Sequence, residues 1–448
     1  MSAPPSPLPP DAAPRRHVGE AFVVLLAVAM VVGAGIFKSP SLVAENAGAT
    51  EWFFLAWALG GLVSLVGALC YAELAAAFPS AGGDYTFLKL AYGRTVAFGF
   101  AWSRFAIINT GSIALLGFVF GDYMNAVLPL GPQGPALYAA ASVGTLTALN
   151  LRGFAGGARG DVALTGLEVA GVLMMVAAGA WIALQGVASA SASPAGGAAP
   201  AGFGYALVFA LLAYGGWNEI ATLSAEVRDE RRGIARALVL SVLAITALYM
   251  LAAWAFWRGL GLEALAGSAA PAADLMAAAF GPQAAWLTAL AIACAAFTSI
   301  NATIIVGGRT TYAAARDFPA LRRLGAWDLD RGIPRAAYVA QGVVSMALVA
   351  FAASFKGFAT LVDYTAPVFW LFMALSGVAV IVLRRRFPAA ARPVRTPLYP
   401  VLPLAFAGVS LAMTWSSLAY VQAGAVFGAG VLAVGMMIGF ALARRAPS

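Results

Sequence analysis

The sequence is poor in the residues that most often carry enzyme chemistry or bind metals. Among its 448 residues there are one histidine and two cysteines, and charged residues make up only 10%. The single histidine, His17, excludes an HExxH zinc site and a histidine proton relay, and no GxxxxGK[ST] or GxSxG sequence occurs. Cys70 and Cys294 both lie in apolar runs, so a disulfide framework is not expected. The sequence therefore predicts a protein that is not an enzyme and has no metal site or organic cofactor.

Long apolar runs dominate the rest of the chain. Hydrophobic residues make up 62% of it, and the mean hydropathy is +0.85. A membrane-spanning helix needs roughly 20 mainly apolar residues. About twelve such runs follow a Pro-rich, disordered tail at 1–17 that shows no cleavable signal. The sequence thus predicts an all-α polytopic membrane protein with spans at about 18 to 44, 51 to 78, 94 to 124, 136 to 151, 159 to 186, 204 to 226, 234 to 258, 282 to 312, 336 to 354, 358 to 383, 398 to 421 and 423 to 443.

The distribution of basic residues predicts the orientation of these spans. Most of the 27 lysines and arginines fall in alternate connections, whereas Lys38, Arg258 and Lys356 fall on the opposite side and Arg104 lies inside a span. Because cytoplasmic connections are enriched in Lys and Arg, both termini are expected in the cytoplasm. This topology accounts for the net charge of +8 without nucleic-acid binding. High Ala and Arg content favours a bacterial inner membrane.

The first span contains a predicted break. Gly33 and Gly35 destabilise a helix interior, and Pro40 is expected in the first turn of a second half-helix. Part of the backbone near Gly33 to Ile36 would then lack helical partners, which is costly in hydrocarbon unless protein, water or a ligand supplies them. The alternative interpretation is close packing of helices through small residues. The break is a candidate binding site.

The sixth span is interrupted in a similar way, at Ala213-Tyr214-Gly215-Gly216-Trp217-Asn218. Paired Gly-interrupted segments in two halves of a chain predict an inverted repeat with a binding site near the bilayer midplane. Each unit has five spans, and an odd number forces the second unit to be inverted. The predicted division is a first repeat at 18–186, an external connection at 187–203, a second repeat at 204–386, and two last spans with a tail at 387–448.

These motifs resemble the amino acid–polyamine–organocation transporters and, among them, the L-type-like amino acid permeases. Gly33-Ala34-Gly35-Ile36-Phe37 is similar to the family's GSGIF segment, and Ala213 to Asn218 is similar to its AYGGWN segment. Phe78-Pro79-Ser80-Ala81-Gly82-Gly83 also fits. The resemblance implies a leucine transporter-type fold, with five-plus-five inverted repeats and discontinuous first and sixth helices.

The resemblance also implies how a substrate binds. The α-carboxylate is held by N–H groups of the first break and the α-amino group by carbonyls of both breaks. Electrostatics favours the same arrangement. The N-terminus of a half-helix carries a partial positive charge that attracts a carboxylate, and unwound carbonyls accept hydrogen bonds from an ammonium. Leu212 stands where L-type members often have a phenylalanine gate, so the preferred side chain stays open. The candidate substrate-binding residues are Val31, Gly33, Ala34, Gly35, Ile36, Leu212, Ala213, Tyr214, Gly215 and Asn218.

Glu168 is the candidate coupling residue. It lies in the fifth span, where the resembling family commonly has a lysine that stands in for a sodium ion. A carboxylate here could hold Na+ with Thr298, Ser299 and carbonyls near Val31, or could carry a proton. The alternative interpretation is a structural ion pair with Arg104 or Lys38.

Three further charged residues are candidates. Arg104, in the third span, either contacts substrate or balances Glu168. Lys38 lies near the start of the outer half-helix, where it opposes the local dipole, and the simplest interpretation is snorkelling to the outer interface. Glu219 follows the second break, where it selects a cationic or polar substrate, faces water or pairs with an arginine.

The function that the sequence predicts is secondary active transport of amino acids by alternating access, with Na+ or H+ as the candidate coupling ion. The alternative within transport is a polyamine or other small organic cation. An ion channel and a membrane enzyme are disfavoured, because no symmetric pore element or catalytic motif is found. The expected partners are an amino acid and the lipid bilayer, the chain is expected to be a monomer or homodimer, and an accessory subunit stays open.

Overall fold

The computed structural model describes residues 24, 28, 31–33, 35–80, 82–153, 158–186, 201–225, 232–316, 318, 321–328, 331–419 and 423–445. Helices account for almost all regular structure in these ranges, and no β-strand occurs among them beyond one isolated bridge between Asp328 and Ile333. Apolar runs become helices because a helix satisfies every backbone polar group within its own segment. The α-helices are α1 (Gly35–Ala47), α2 (Thr50–Ala77), α3 (Asp84–Tyr92), α4 (Arg94–Ser103), α5 (Thr110–Val127), α6 (Gly134–Leu151), α7 (Ala158–Leu184), α8 (Phe203–Ala213), α9 (Arg232–Gly267), α10 (Pro271–Phe280), α11 (Pro282–Arg316), α12 (Arg335–Ala353), α13 (Phe358–Arg386), α14 (Val401–Ala419) and α15 (Ala423–Arg445).

The helices agree with the predicted membrane spans. Within the described ranges, 8 helices are long and apolar enough to cross a membrane, and they correspond to the predicted second, third and seventh to twelfth spans. Three shorter apolar helices, Glu168–Leu184, Phe203–Ala213 and Pro271–Phe280, accompany them. The first two of these belong to the predicted fifth and sixth spans. The prediction of an all-α polytopic membrane protein is confirmed.

Two short helices lie between spans where the sequence predicts only connections. Helix α3 follows the second span and begins with Asp84, and α10 follows the seventh span and begins with Pro271. Each has no more than 10 residues, which is too short for a spanning prediction based on length and hydropathy. They are separate from the spans because Gly93 and Gly281, both with positive φ, form the turns after them.

The third span is not a uniform α-helix. Between α4 and α5, Arg104–Asn109 form a π-helix. Such segments are rare and occur frequently at functional sites, because the wider turn re-aims side chains. Arg104 is its first residue.

Packing between spans follows a regular rule. The first four spans each contact the span five places later: α1 contacts α8, α2 contacts α9, α5 contacts α11, and α6 contacts α12. Contacts between equivalent positions of two halves are what a repeat would produce, and the inverted relation of 18–186 to 204–386 stays a prediction.

The large side chains of the second break pack into α2. Tyr214 and Trp217 face glycines there, since a Cβ atom on Gly60 would lie 2.8 Å from the Tyr214 ring and one on Gly67 would lie 2.6 Å from the Trp217 ring. Small residues that let a partner approach are typical of helix contacts in membranes. These two aromatics are therefore packing residues of the span.

Candidate functional site

The two breaks lie against each other in the centre of the bundle. A Cβ atom on Gly35, the first residue of α1, would be 3.6 Å from the Cα atom of Ala213, the last residue of α8. Chain segments far apart in sequence thus bring the ends of two half-helices together. Residues 31–33 and 212–218 form one region of interrupted backbone.

At the first break the helical pattern stops at Val32 and Gly33 and resumes at Gly35, while Ala34 lies outside the described residues. The amide of Ile36 donates to the carbonyl of Gly33 at 3.3 Å, and the Val31 carbonyl accepts the Tyr249 hydroxyl at 2.9 Å. Protein groups therefore satisfy part of the interrupted backbone, as hydrocarbon requires.

Pro40 does not lie in the first turn of the half-helix, so that expectation was wrong. Helix α1 begins at Gly35 and contains Pro40 in its second turn. The glycines set the position of the break, because they allow the chain to leave the helix before the proline is reached.

At the second break α8 ends at Ala213, residues 214–216 form a turn, and a 3-10 helix, Trp217–Ala225, follows. The amide of Gly215 donates to the Leu212 carbonyl at 3.0 Å, and that of Glu219 donates to the Gly216 carbonyl at 3.1 Å. Gly216 has a φ of 110°, which a side chain would strain. The sequence did not predict that the inner half of this span would be a 3-10 helix.

Glu168 contacts one of the two side chains with which the sequence paired it, Ser299. It is 7% exposed, and the Ser299 hydroxyl donates to its Oε1 at 3.2 Å. Thr298 is next in the chain, but its hydroxyl donates to the Ala295 carbonyl at 2.8 Å. The hydrogen bond from Ser299 thus ties Glu168 of the fifth span to α11 of the eighth.

Among the described residues, Glu168 does not form the structural ion pair that was its alternative interpretation. Both cations proposed as its partners are paired elsewhere: Arg104 forms an ion pair with Glu219, and Lys38 forms one with Asp122 at 2.8 Å. Snorkelling of Lys38 to the outer interface stays a prediction. Its buried ammonium also donates to the carbonyl of Ala269, in the connection between α9 and α10, at 2.8 Å.

A cavity of about 290 Å³ lies beside the second break, on the side of the third span. Two of the candidate residues, Arg104 and Glu219, line it, whereas the described residues of the first break do not. Among the residues that the structure describes, the lining is Gly82, Asp84, Tyr85, Phe100, Ala101, Arg104, Phe105, Glu219, Thr222, Thr310, Thr311, Ala313 and Ala314. These residues come from α3, the third span, the 3-10 helix and α11.

Asp84 is a site residue that the sequence did not predict. It is 5% exposed and lines the cavity, and the Asn218 amide donates to its Oδ2 at 3.1 Å. Burial raises the pKa of its carboxyl from 3.8 to about 6. The motif before it, Gly82-Gly83, was noticed only as a family resemblance. An acidic residue at the start of a short helix was a further signal, but its contact with the sixth span is visible only in three dimensions.

The sequence of this chain is similar to those of several known proteins. A family model described as "Amino acid permease" matches residues 21–442. The chain is 27% identical over 396 residues to b(0,+)-type amino acid transporter 1 of Homo sapiens, covering 87% of this chain and 80% of that relative. It is 26% identical over 392 residues to the Mus musculus protein of the same name, covering 86% and 79%. It is 25% identical over 408 residues to large neutral amino acids transporter small subunit 2 of Homo sapiens, covering 88% and 74%.

Proposed function

The chain belongs to the amino acid permease family, and from this premise we propose that it is a secondary active transporter that moves amino acids by alternating access about its two broken helices. The observation that carries the proposal is the contact between Gly35 and Ala213, which places the two breaks side by side. One small zwitterion can reach both.

The ends of the half-helices suit the two charges of an amino acid. The first N–H groups of α1 have no partner within the helix and carry a partial positive charge, which favours the α-carboxylate. The carbonyls at the end of α8, at Leu212 and Ala213, carry the opposite partial charge and favour the α-ammonium. Glycine at positions 33 and 35 leaves room for backbone to approach the ligand.

We propose Glu168 as the coupling group. Among the described residues, the neutral Ser299 hydroxyl donates a hydrogen bond to the Glu168 carboxylate but cannot balance its negative charge. An unbalanced charge is costly inside a membrane protein unless a cation or a proton binds to it. Tyr249 holds the Val31 carbonyl of the first break through its hydroxyl, and we propose that the charge state of Glu168 acts on the break through this tyrosine. Na+ and H+ both fit this chemistry, and the uptake experiment below identifies which of them is the coupling ion.

We also propose that the protein lies in a bacterial inner membrane, with both termini in the cytoplasm. A monomer or homodimer is proposed for the assembly. One relative is named a small subunit, so an accessory subunit is the competing outcome, and light scattering of the purified protein distinguishes these states.

The proposed function is tested with the purified full chain. A panel of amino acids is screened for an increase in melting temperature, because a ligand that binds only the folded state must raise its stability. Uptake of the best ligand is then measured in proteoliposomes with an inward Na+ gradient, an inward H+ gradient or neither. We expect saturable uptake that is driven by one gradient. If no amino acid stabilises the protein and none is taken up, the proposed function is wrong.

A further inference from the structure

The cavity beside the second break has a size and lining suited to part of an organic ligand. Its volume of about 290 Å³ is far larger than one monovalent ion needs, and Phe100, Ala101 and Phe105 supply an apolar wall. Ligand sites are typically concave and mostly apolar, with a few polar groups that fix orientation. Glu219 and Thr222 of the lining belong to the 3-10 helix that begins directly after the second break.

The formal charges on the cavity wall do not cancel. Arg104 is the one cationic side chain among the described lining residues, and it pairs with Glu219. Asp84 adds a second carboxylate, which leaves one net negative charge. Lys89 lies 5.6 Å from the centroid of the Tyr85 ring but is exposed, so water screens its charge.

The partners of Asp84 fix its position without neutralising it. The Asn218 amide donates to Oδ2 at 3.1 Å and the Ser376 hydroxyl donates to Oδ1 at 3.5 Å, and both are neutral donors. Asp84 is also the first residue of α3, where the helix dipole favours a negative charge. The carboxylate is therefore held ionised and in a defined orientation at neutral pH.

Thr311 provides an independent indication that a polar ligand group binds in the cavity. It is 7% exposed and lines the same cavity, yet its buried hydroxyl has no hydrogen-bond partner among the described residues. A buried polar group without a partner costs free energy comparable to a lost hydrogen bond. A ligand group in the cavity would remove that cost.

We propose that this cavity receives the cationic side chain of an amino acid substrate, an ammonium or a guanidinium, with Glu219 and Asp84 as its charge partners and Thr311 as an added acceptor. The proposal rests on the proposed function, because the α-groups are assigned to the two breaks. An ammonium neutralises the excess charge, while its methylene stem covers the apolar wall. Arg104 keeps Glu219 in place, while the unbalanced negative charge of Asp84 repels a substrate whose side chain ends in a carboxylate.

The experiment compares lysine with norleucine, which has the same number of side-chain carbons but lacks the ammonium. Binding of each to the purified full chain is measured by isothermal titration calorimetry at pH 7.5. We expect lysine to bind at least tenfold more tightly than norleucine. Equal binding, or tighter binding of norleucine, would overturn the proposal and leave amino acid transport intact. Failure of every amino acid to bind would instead contradict the proposed function.

Two variants and a matched control locate the effect. Glu219→Gln and Asp84→Asn each remove one charge without a large change in shape, and each is expected to reduce the preference for lysine about tenfold while norleucine binding persists. Glu263→Gln removes an exposed carboxylate on α9 and is expected to leave both affinities unchanged. A preference for lysine that survives both cavity variants would place the cation elsewhere. The comparison in the unaltered chain still tests the proposal if a variant fails to fold.

Discussion

The side-chain amide of Asn218 donates to Oδ2 of Asp84 at 3.1 Å, across 134 positions of sequence. This hydrogen bond joins the break in the sixth span to α3, the short helix that follows the second span. A second tie runs alongside it, from the backbone N–H of Ser80 to the Ser224 hydroxyl at 3.1 Å. The inner half of the sixth span is thus held by the connection between two other spans.

The pH dependence of lysine binding follows from Asp84, which lies outside the predicted spans. Burial raises the pKa of this carboxyl to about 6, so one pH unit below that value only about a tenth of it is charged. Lysine affinity is therefore expected to fall about tenfold between pH 7.5 and pH 5, while the lysine ammonium itself stays protonated. Calorimetry at both values, with norleucine as the neutral control, measures this. Loss of the pH dependence in Asp84→Asn would confirm the source.

Burial of Asp84 sets the direction of its effect on stability. The folded protein holds the Asp84 proton more tightly than the unfolded chain does, so this group's contribution to the free energy of unfolding falls as pH rises from 3.8 to about 6. Chemical denaturation across that range measures it, and Asp84→Asn should flatten the curve. The facing groups are Tyr71, Arg104, Asn218, Glu219 and Ser376.

Glu168→Gln tests the coupling site. The amide keeps the hydrogen bond with Ser299 but loses the negative charge, so neither Na+ nor H+ is bound there. Gradient-driven uptake in proteoliposomes is expected to fall to the level seen without a gradient, while substrate binding by calorimetry stays measurable. Uptake that still responds to the gradient would rule out Glu168 as the coupling group.

Gly60→Ala tests the packing of the second break. The added Cβ would lie 2.8 Å from the ring of Tyr214, which is 1% exposed and donates to the Trp57 carbonyl at 3.1 Å. The ring has little room to move, and overpacking of this kind costs about 1–3 kcal/mol. We expect a lower melting temperature and weaker substrate binding. Gly144→Ala is the control, since a Cβ there meets nothing within 4 Å, and it should leave the melting temperature unchanged or raise it slightly.

Glu73→Gln tests the ion pair that joins the second and tenth spans. Arg384 donates to both carboxylate oxygens of Glu73, at 2.7 and 2.6 Å, and the Thr396 amide donates to Oε2 at 2.7 Å. Removing one partner of a buried pair costs about 3–5 kcal/mol, because the remaining charge is left uncompensated. The melting temperature should drop clearly. Arg331→Gln, which breaks an exposed pair with Asp328, should cost less than about 1 kcal/mol, and equal losses would contradict the argument.

Leu212→Phe tests whether this position covers the substrate. Leu212 is partly buried at the end of α8, and its carbonyl accepts the Gly215 amide. A larger aromatic group at the break would leave less room for the substrate side chain, so smaller amino acids should be favoured. Competition by alanine and leucine against the best ligand measures the change. An unchanged ranking would argue against a gate at this position.

Much of the fold could be predicted from the sequence because its causes are local. Length and hydropathy of each run are enough to predict a spanning helix, and the glycines at 33, 35, 215 and 216 are enough to predict where two spans break. The proximity of Glu168 to Ser299 was also anticipated, through the family resemblance. The short helix after the second span and the π-helix at Arg104 were missed, because neither leaves a hydropathy signal of its own.

The partners of charged side chains could not be predicted in the same way. Arg104 and Lys38 were each considered as partners for Glu168, and the structure pairs them with Glu219 and Asp122. Such choices depend on distances of a few ångström between separate helices, which no local pattern records.

The sequence by itself determined that the chain is a bundle of membrane helices with two interrupted spans, because a continuous apolar run can satisfy its backbone in hydrocarbon only as a helix and glycine interrupts it. Only the tertiary structure decided that the two breaks touch at Gly35 and Ala213, and that Asp84 joins Arg104 and Glu219 around one cavity. The physical reason is that helix packing brings together residues that are far apart along the chain, and the net charge of a cavity exists only once its walls are assembled.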